Sequence, residues 1–277
     1  MKLSLSVRVV EQFHSKREAG MPLAGLAELA SEHGYRALCM RASQLGTHTD
    51  LDTVRVAREA VRRLGLEVSM VTGDFPIPEN SDDEGPRALR NITPYLDLAA
   101  ALDSDLLRVC MKTEEDIAPA RRAADEAGER GMRLAHQCHT RSLFERAAES
   151  LAVIKRIGRD NFGIIYEPAN LELCHESYGA EVIRAFAPHL FNVYLQNHRI
   201  QPGGETELVS WAGGPIRFDQ IPMWEGGGID FAPIMETLAK IGYEGYVTVH
   251  QAFAGVAGAQ EAVSKSAEYL RSIGTFE

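Results

Sequence analysis

The chain has 277 residues, 45% hydrophobic and 25% charged, the proportions of an ordinary globular protein. Its 29 Lys and Arg against 39 Asp and Glu give a formal charge of −10, which excludes a general electrostatic field for nucleic acid or an anionic membrane. No stretch reaches the roughly 18 uninterrupted apolar residues of a membrane span. The expected partner is therefore a small molecule.

Taken in chain order, strand-like and helix-like patterns alternate. The opening MKLSLSVRVV alternates in polarity and lacks a continuous apolar run, so it reads as a strand at about 3–9 rather than a secretion signal. A helix at about 23–33 sets Leu23, Leu26 and Leu29 on one face and stops at Gly34, an expected C-cap glycine. A strand at 37–41 leads to a helix at about 50–64, where Val54, Ala57, Val61 and Leu64 recur at helical spacing. The third strand, 67–72, runs into a polar loop at 73–86 that holds Pro76, Pro78 and Pro86. The next helix, about 87–102, contains Pro94, which marks a kink or a later start.

A fourth strand at 106–111 precedes a helix at about 114–130, and a fifth strand covers 133–138. Ser142-Leu-Phe-Glu145 has the form of a capping box and predicts a helix start near Leu143. A sixth strand at 162–167, a helix at about 180–187 and a seventh strand at 190–196 follow. A Gly- and Pro-rich insertion then occupies about 198–228. A helix after Asp230, an eighth strand at 245–250 and a helix at about 259–273 complete the order.

Eight strand–helix units in this length predict a closed (β/α)8 barrel, read as one domain over 1–277. No GxGxxG follows the first strand, so no nucleotide cofactor is expected. The four cysteines, Cys39, Cys110, Cys138 and Cys174, show no CxxC spacing and read as reduced thiols of a cytoplasmic protein.

A barrel of this kind carries its chemistry at the C-terminal ends of its strands. Those ends bring Arg41, Lys112, Gln137, His139, Glu167, Asn170, Gln196, Arg199 and His250 to one face. Alternation groups Gln137 with His139, and Asn192 with Tyr194 and Gln196. Thr248 and His250 share the inward parity of the eighth strand, while Val247 and Val249 face the helices. His136 has the opposite parity to Gln137 and reads as structural. Arg41, Lys112 and Arg199 form a candidate site for a phosphate or carboxylate. His14, His175 and His198 read as loop histidines, and the cysteines near strand ends as small buried fillers. Trp211, Trp224 and Phe218 offer either an apolar lid or an anchor for the insertion.

The C-terminal half resembles the sugar phosphate isomerase/epimerase branch of the xylose-isomerase-like barrels. Gln137-Cys138-His139 is similar to that family's Glu-Asn-His at strand five, and Glu167-Pro168-Ala169-Asn170 to its Asp-Pro-x-His/Asn. Asn192-Val193-Tyr194-Leu195-Gln196-Asn197 stands where the family has His-x-His-x-Lys-Asp. The stretch from Ile221 to Asp230 resembles its Pro-x-Gly-x-Gly-x-x-Asp, and Gly242 to His250 its Gly-Tyr-x-Gly-x-x-x-x-Glu. The order and spacing of these motifs carry the resemblance, since each alone is weak.

The resemblance implies a metal set at Gln137, Glu167, Tyr194 and His250, with Gln196 able to replace Tyr194. Only Glu167 keeps a carboxylate. Mixed oxygen and nitrogen donors suit Mn²⁺, Mg²⁺, Zn²⁺ or Fe²⁺. His250 and Glu167 are the expected catalytic groups. Arg41, Lys112, His139, Asn170, Gln196 and Arg199 are the expected substrate contacts, for a small carbohydrate or related anion. The leading reading is an isomerase or epimerase acting next to a carbonyl. A lyase or dehydratase and a non-catalytic sugar-binding protein are the alternatives, and a homo-oligomer is compatible with each. A DNA-repair endonuclease fits poorly, since it needs more metal ligands and a basic groove.

Overall fold

Eight parallel strands close on one another in the order β1-β11-β7-β6-β5-β4-β3-β2. They are β1 Lys2–Ser6, β2 Ala37–Met40, β3 Glu67–Val71, β4 Leu106–Val109, β5 Arg133–Gln137, β6 Phe162–Tyr166, β7 Leu190–Leu195 and β11 Tyr246–Val249. The computed structural model describes residues 1–11, 18–72 and 84–277. His14 and most of the predicted loop at 73–86 lie outside the described residues. The closed ring is the (β/α)8 barrel that the strand–helix alternation predicts. No helix among the described residues is long and apolar enough to cross a membrane.

Period-two alternation splits each strand between two cores. Leu3, Leu5, Leu107, Val109, Val193, Val247 and Val249 face outward into the large cluster shared with the helices. Cys39, Met70, Leu106, Ala135, Ile165 and Tyr194 face inward and plug the barrel's interior. Two pairs of polar inward groups sit among them. The hydroxyls of Ser4 and Ser69 lie 2.7 Å apart, and Thr248 Oγ1 donates to Asn192 Oδ1 at 3.0 Å. With the interior filled, a ligand has room only at the mouth.

The helices are α1 Leu23–Glu32, α2 Leu51–Arg63, α3 Glu84–Arg90, α4 Thr93–Ala101, α5 Ile117–Glu129, α6 Ala147–Ile157, α7 Pro168–Leu173, α8 Ala180–Phe186, α9 Phe231–Lys240 and α10 Ala259–Ile273. Asp50 caps α2, accepting from the backbone N–H groups of Asp52 and Thr53 at 3.1 Å. Gly34 follows α1 at φ +73°, a conformation that favours glycine. A Cβ there would also meet Arg271 Nη2 at 2.7 Å. Arg271 donates to the Gly34 and His33 carbonyls and so ties α10 to α1 across the seam of the barrel.

Four local expectations are corrected. The first strand ends at Ser6, because Val7–Val10 form a 3-10 turn in which Ser6 Oγ accepts from Arg8 N–H. The helix expected at 87–102 is divided into α3 and α4, with Pro94 in the first turn of the latter, where a missing N–H is harmless. Pro168–Leu173 is a short helix that follows Glu167 directly. The insertion is not an irregular loop: β8 His198–Ile200, β9 Thr206–Ser210 and β10 Gly214–Gln220 form an antiparallel sheet in the order β8-β10-β9.

The capping-box expectation at Ser142–Glu145 is also corrected. The helix starts at Ala147, and the Glu145 carboxylate serves the insertion instead. It accepts from the N–H groups of Trp211 (2.9 Å), Ala212 (2.6 Å) and Arg141. Asn197 and Gln251 pin the other end, with Asn197 donating to the Pro222 and Glu225 carbonyls and Gln251 to that of Ile221. Ile216, Phe218 and Leu208 of the small sheet then pack on Leu173 of α7. In a Glu145→Ala variant, hydrogen exchange at Trp211 and Ala212 is expected to accelerate while the barrel strands stay protected. Stability is expected to fall by about 1–3 kcal/mol. Unchanged exchange at those two amides would show that Glu145 does not hold the insertion.

Candidate active site

A cavity of about 110 Å³ opens at the C-terminal ends of the strands. Its wall combines Arg8, Arg41, Arg108 and Lys112 with His136, Gln137, His139, Asn170, Gln196, His198 and His250. Leu173, Leu208 and Phe218 supply the apolar part, from α7 and the small sheet.

The charge on this wall is unequal. Arg8 and Arg41 share one carboxylate, that of Glu11, which has no solvent exposure. Arg8 Nη1 lies 3.1 Å from Glu11 Oε2, Arg41 Nε lies 2.9 Å from Oε1, and Ser43 donates to Oε1 at 2.6 Å. Burial alone would raise the Glu11 carboxyl, but Arg41 and Arg8 outweigh it and hold it below the usual carboxylate range. Burial, with repulsion from Arg41, lowers Arg8 to about 10 despite Glu11. Arg108 is different. Only 3% of it is exposed, and its Nε and Nη1 have no hydrogen-bond partner. Burial lowers its pKa as well.

Glu167 ends β6 and is fully buried. Three amide groups donate to it: Gln137 Nε2 and Asn170 Nδ2 (2.6 Å) to Oε2, and Gln196 Nε2 (2.5 Å) to Oε1. Asn170 reaches it because α7 starts at Pro168 and turns the side chain back, where it also donates to the Cys138 carbonyl. Burial raises the Glu167 carboxyl to about 7, against the pull of Gln137, Arg108 and the other two amides.

His250 follows β11. Its ring stacks on Tyr194 at 3.7 Å between centroids and 8° between planes, and its Nδ1 lies 3.0 Å from Ser6 Oγ. His136 stacks on Phe144 at 3.9 Å, and its Nδ1 lies 2.6 Å from the Gln137 carbonyl. Burial pushes His136 down to about 3, so the ring is neutral and its unpartnered Nε2 is an acceptor. Burial raises the thiols of Cys39 and Cys138, the latter to about 12, which agrees with a packing role.

Of the residues expected from the sequence, Gln137, Asn170 and Gln196 meet at Glu167, and Arg41, Lys112, His139 and His250 line the same cavity. Arg199 does not. It sits on β8 paired with Glu225 at 2.7 Å and with the Gly226 carbonyl, away from the cavity wall. Its place in the cationic cluster is taken by Arg8 and Arg108. Parity marked Arg108, since Leu107 and Val109 face the helices; the 3-10 turn that aims Arg8 left no such mark. His198 is not an exposed loop histidine: it is buried, with Nε2 2.8 Å from Glu172 Oε2. Phe218 lines the cavity, whereas Trp224 stacks on Phe253 and Trp211 is 54% exposed.

The expected metal set, Gln137, Glu167, Gln196 and His250, does not fit a divalent cation. Both Glu167 oxygens face amide N–H groups, so Gln137 and Gln196 turn donors, not oxygen ligands, toward the carboxylate. His250 Nδ1 is engaged with Ser6, and Tyr194 is stacked beneath that ring with its hydroxyl 3.1 Å from Cys39 Sγ. Arg8, Arg41, Arg108 and Arg141 all line the wall and oppose further positive charge. Among the described residues, no three His, Cys, Asp or Glu side chains are grouped to hold an ion.

Comparison with known proteins agrees with the fold. The chain matches the xylose isomerase-like TIM barrel family over residues 27–273. No curated protein matches it. Among solved structures, the probable 3-DHS dehydratase AsbF from Bacillus anthracis superposes with a TM-score of 0.72 at 14% identity, covering 98% of this chain and 99% of that one. A D-psicose 3-epimerase crystallised with D-fructose gives 0.69 at 17% identity, covering 99% of each chain. The IOLI protein with a bound zinc atom gives 0.71 at 16% identity, covering 99% of this chain and 98% of that one. Identities this low establish a shared fold alone.

The raised carboxyl of Glu167 has a thermodynamic signature. The folded state holds this proton more tightly than the unfolded chain, whose carboxyl sits near 4.5. Its stabilising contribution is therefore complete below about pH 4.5 and is lost as pH rises to about 7. Glu167→Gln stays neutral throughout. Its unfolding free energy relative to wild type is expected to improve across that window, by on the order of 3 kcal/mol, and then level off. Parallel pH profiles from denaturant titrations of the two proteins would contradict a raised Glu167.

Proposed function

This chain belongs to the xylose isomerase-like TIM barrel family, and on that premise we propose that it is an isomerase or epimerase of a small hydroxylated carbonyl compound. The observation that carries the reading is His250, an imidazole fixed on the cavity wall by a ring stack below and a hydroxyl at Nδ1. Imidazole exchanges protons near neutral pH. In the proposed step, His250 removes a proton from the carbon beside the carbonyl. The electron pair moves onto the carbonyl oxygen to form an enediolate. In isomerisation the hydroxyl proton of the first carbon passes to the former carbonyl oxygen as His250 returns its proton to the former carbonyl carbon; in epimerisation a proton returns to the first carbon on its opposite face. The guanidinium wall of Arg8, Arg41 and Arg108 stabilises the developing oxyanion. Glu167 acts through the amides that it orients.

A lyase or dehydratase is the second reading, favoured by one observation. Gln137 occupies a position from which a carboxylate would be needed as a second proton carrier, and an amide cannot serve. A single base suits loss of water beside a carbonyl as well as it suits isomerisation. Product mass separates the two, since isomerisation conserves it. Turnover in deuterium oxide reports the shared proton abstraction: isomerisation places solvent deuterium on the product, and reversible abstraction ahead of water loss places it on recovered substrate. His250→Ala is expected to lower that exchange by at least about 100-fold while the melting temperature stays near that of wild type. Wild-type exchange in this variant would remove His250 from the mechanism.

A further inference from the structure

Three residues of the cavity wall carry four buried side-chain atoms that lack hydrogen-bonding partners. Arg108 offers two unused donors, at Nε and Nη1. His136 Nε2 and Gln137 Oε1 are unused acceptors. The Gln137 amide is oriented by Glu167, which takes its Nε2 side and leaves Oε1 without a donor. All three residues line the same cavity. Adjacent strands bring them together, since Arg108 is in register with Ala135 and Val109 with His136. Native proteins leave very few buried polar groups unsatisfied, and those that remain point to something that binds them.

We infer that this cavity takes a small hydroxy carboxylate, with the carboxylate on Arg108 and hydroxyl groups donating to His136 Nε2 and Gln137 Oε1, and that it binds this ligand without a divalent ion. The inference rests on the proton-transfer reading only for the location of the site. The ligand follows from complementarity. An unpaired buried guanidinium calls for an anion. Arg8 and Arg41 are already bonded to Glu11, and among the arginines of the wall Arg108 is the one with buried donors left unmatched, which suits one carboxylate better than a phosphate dianion. Unused acceptors call for O–H donors, which a simple carboxylate such as acetate lacks. The fixed guanidinium supplies the positive charge that an ion would otherwise bring.

The test is thermal shift and calorimetry in EDTA. The probes are hydroxy carboxylates of three to seven carbons (glycerate, tartrate, gluconate, quinate), the matched neutral polyols, acetate, and glycerol phosphate. At least one hydroxy carboxylate is expected to raise the melting temperature by about 3 °C at ten times its Kd. Its polyol counterpart and acetate are expected to bind at least about 10-fold more weakly. Arg108→Met removes a buried unpaired charge, so it is expected to melt at or above wild type and to lose the carboxylate response. Gln137→Leu, which keeps Arg108, is expected to reduce discrimination between hydroxy carboxylate and acetate. The inference is overturned if no hydroxy carboxylate binds, if polyol or glycerol phosphate binds as tightly, if binding requires added Mg²⁺ or Mn²⁺, or if Arg108→Met binds like wild type. Deuterium exchange into a neutral keto-sugar by the wild-type protein would then leave the proton-transfer reading standing by itself.

Discussion

Positive charge buried at the mouth of the barrel is the constraint around which the rest is arranged. Arg8, Arg41 and Arg108 line one cavity, and the buried carboxylates of Glu11 and Glu167 act on them electrostatically. Removing ions from water costs several kcal/mol each in a folded protein, and close pairing offsets only part of it. Glu11 offsets it for two of the guanidinium groups and, in doing so, fixes where they point. Glu167 is close enough for Arg108 to pull its pKa down against the larger effect of burial, yet no hydrogen bond joins them. The large outer core between strands and helices supplies the surplus stability that lets the mouth remain unbalanced.

The plug below the mouth and the sheet above it make this charge useful. Cys39, Met70, Leu106, Ala135, Ile165 and Tyr194 fill the interior, so the polar residues one layer higher stand on a dry floor. In such surroundings each electrostatic contact counts for more than it would in water. The insertion adds Leu208 and Phe218 from the opposite side, held by Glu145, Asn197 and Gln251. The site therefore has one charged wall and one apolar wall, contributed by different parts of the chain.

Much of this was legible before any coordinates. Strand alternation and helical spacing are local, and they located all eight barrel strands to within a few residues. Parity grouped Gln137 with His139, and Asn192 with Tyr194 and Gln196, within their own strands; it was the family motifs that set Gln137, Glu167 and Gln196 side by side, and they meet as amide donors to a carboxylate rather than as metal ligands. The failures have equally physical reasons. Alternation was carried past Ser6, where a 3-10 turn breaks it, and so Arg8 was missed. Arg108 lies inside β4 rather than at its end, so the positions of the strand ends do not point to it. Arg199 was placed by proximity in sequence, but the antiparallel strands of the insertion carry it to Glu225. Ser142 and Glu145 have the spacing of a cap, and only tertiary structure shows that Glu145 serves amides 66 and 67 positions away. A Gly- and Pro-rich composition concealed the three strands of the insertion.

The contact between Ser6 and His250 spans 244 positions and joins the first strand to the last. Loop-closure entropy makes such a contact among the latest that a chain can form. A half-assembled barrel could gather Gln137, Glu167 and Gln196 on neighbouring strands β5 to β7, yet its histidine would have no hydroxyl beside it. Completion of the ring and completion of the site are thus one event. Protein still emerging from synthesis, or reopened at the β1–β11 seam, would hold the amide cluster without the clamped imidazole. The seam thereby couples quality of folding to competence for chemistry.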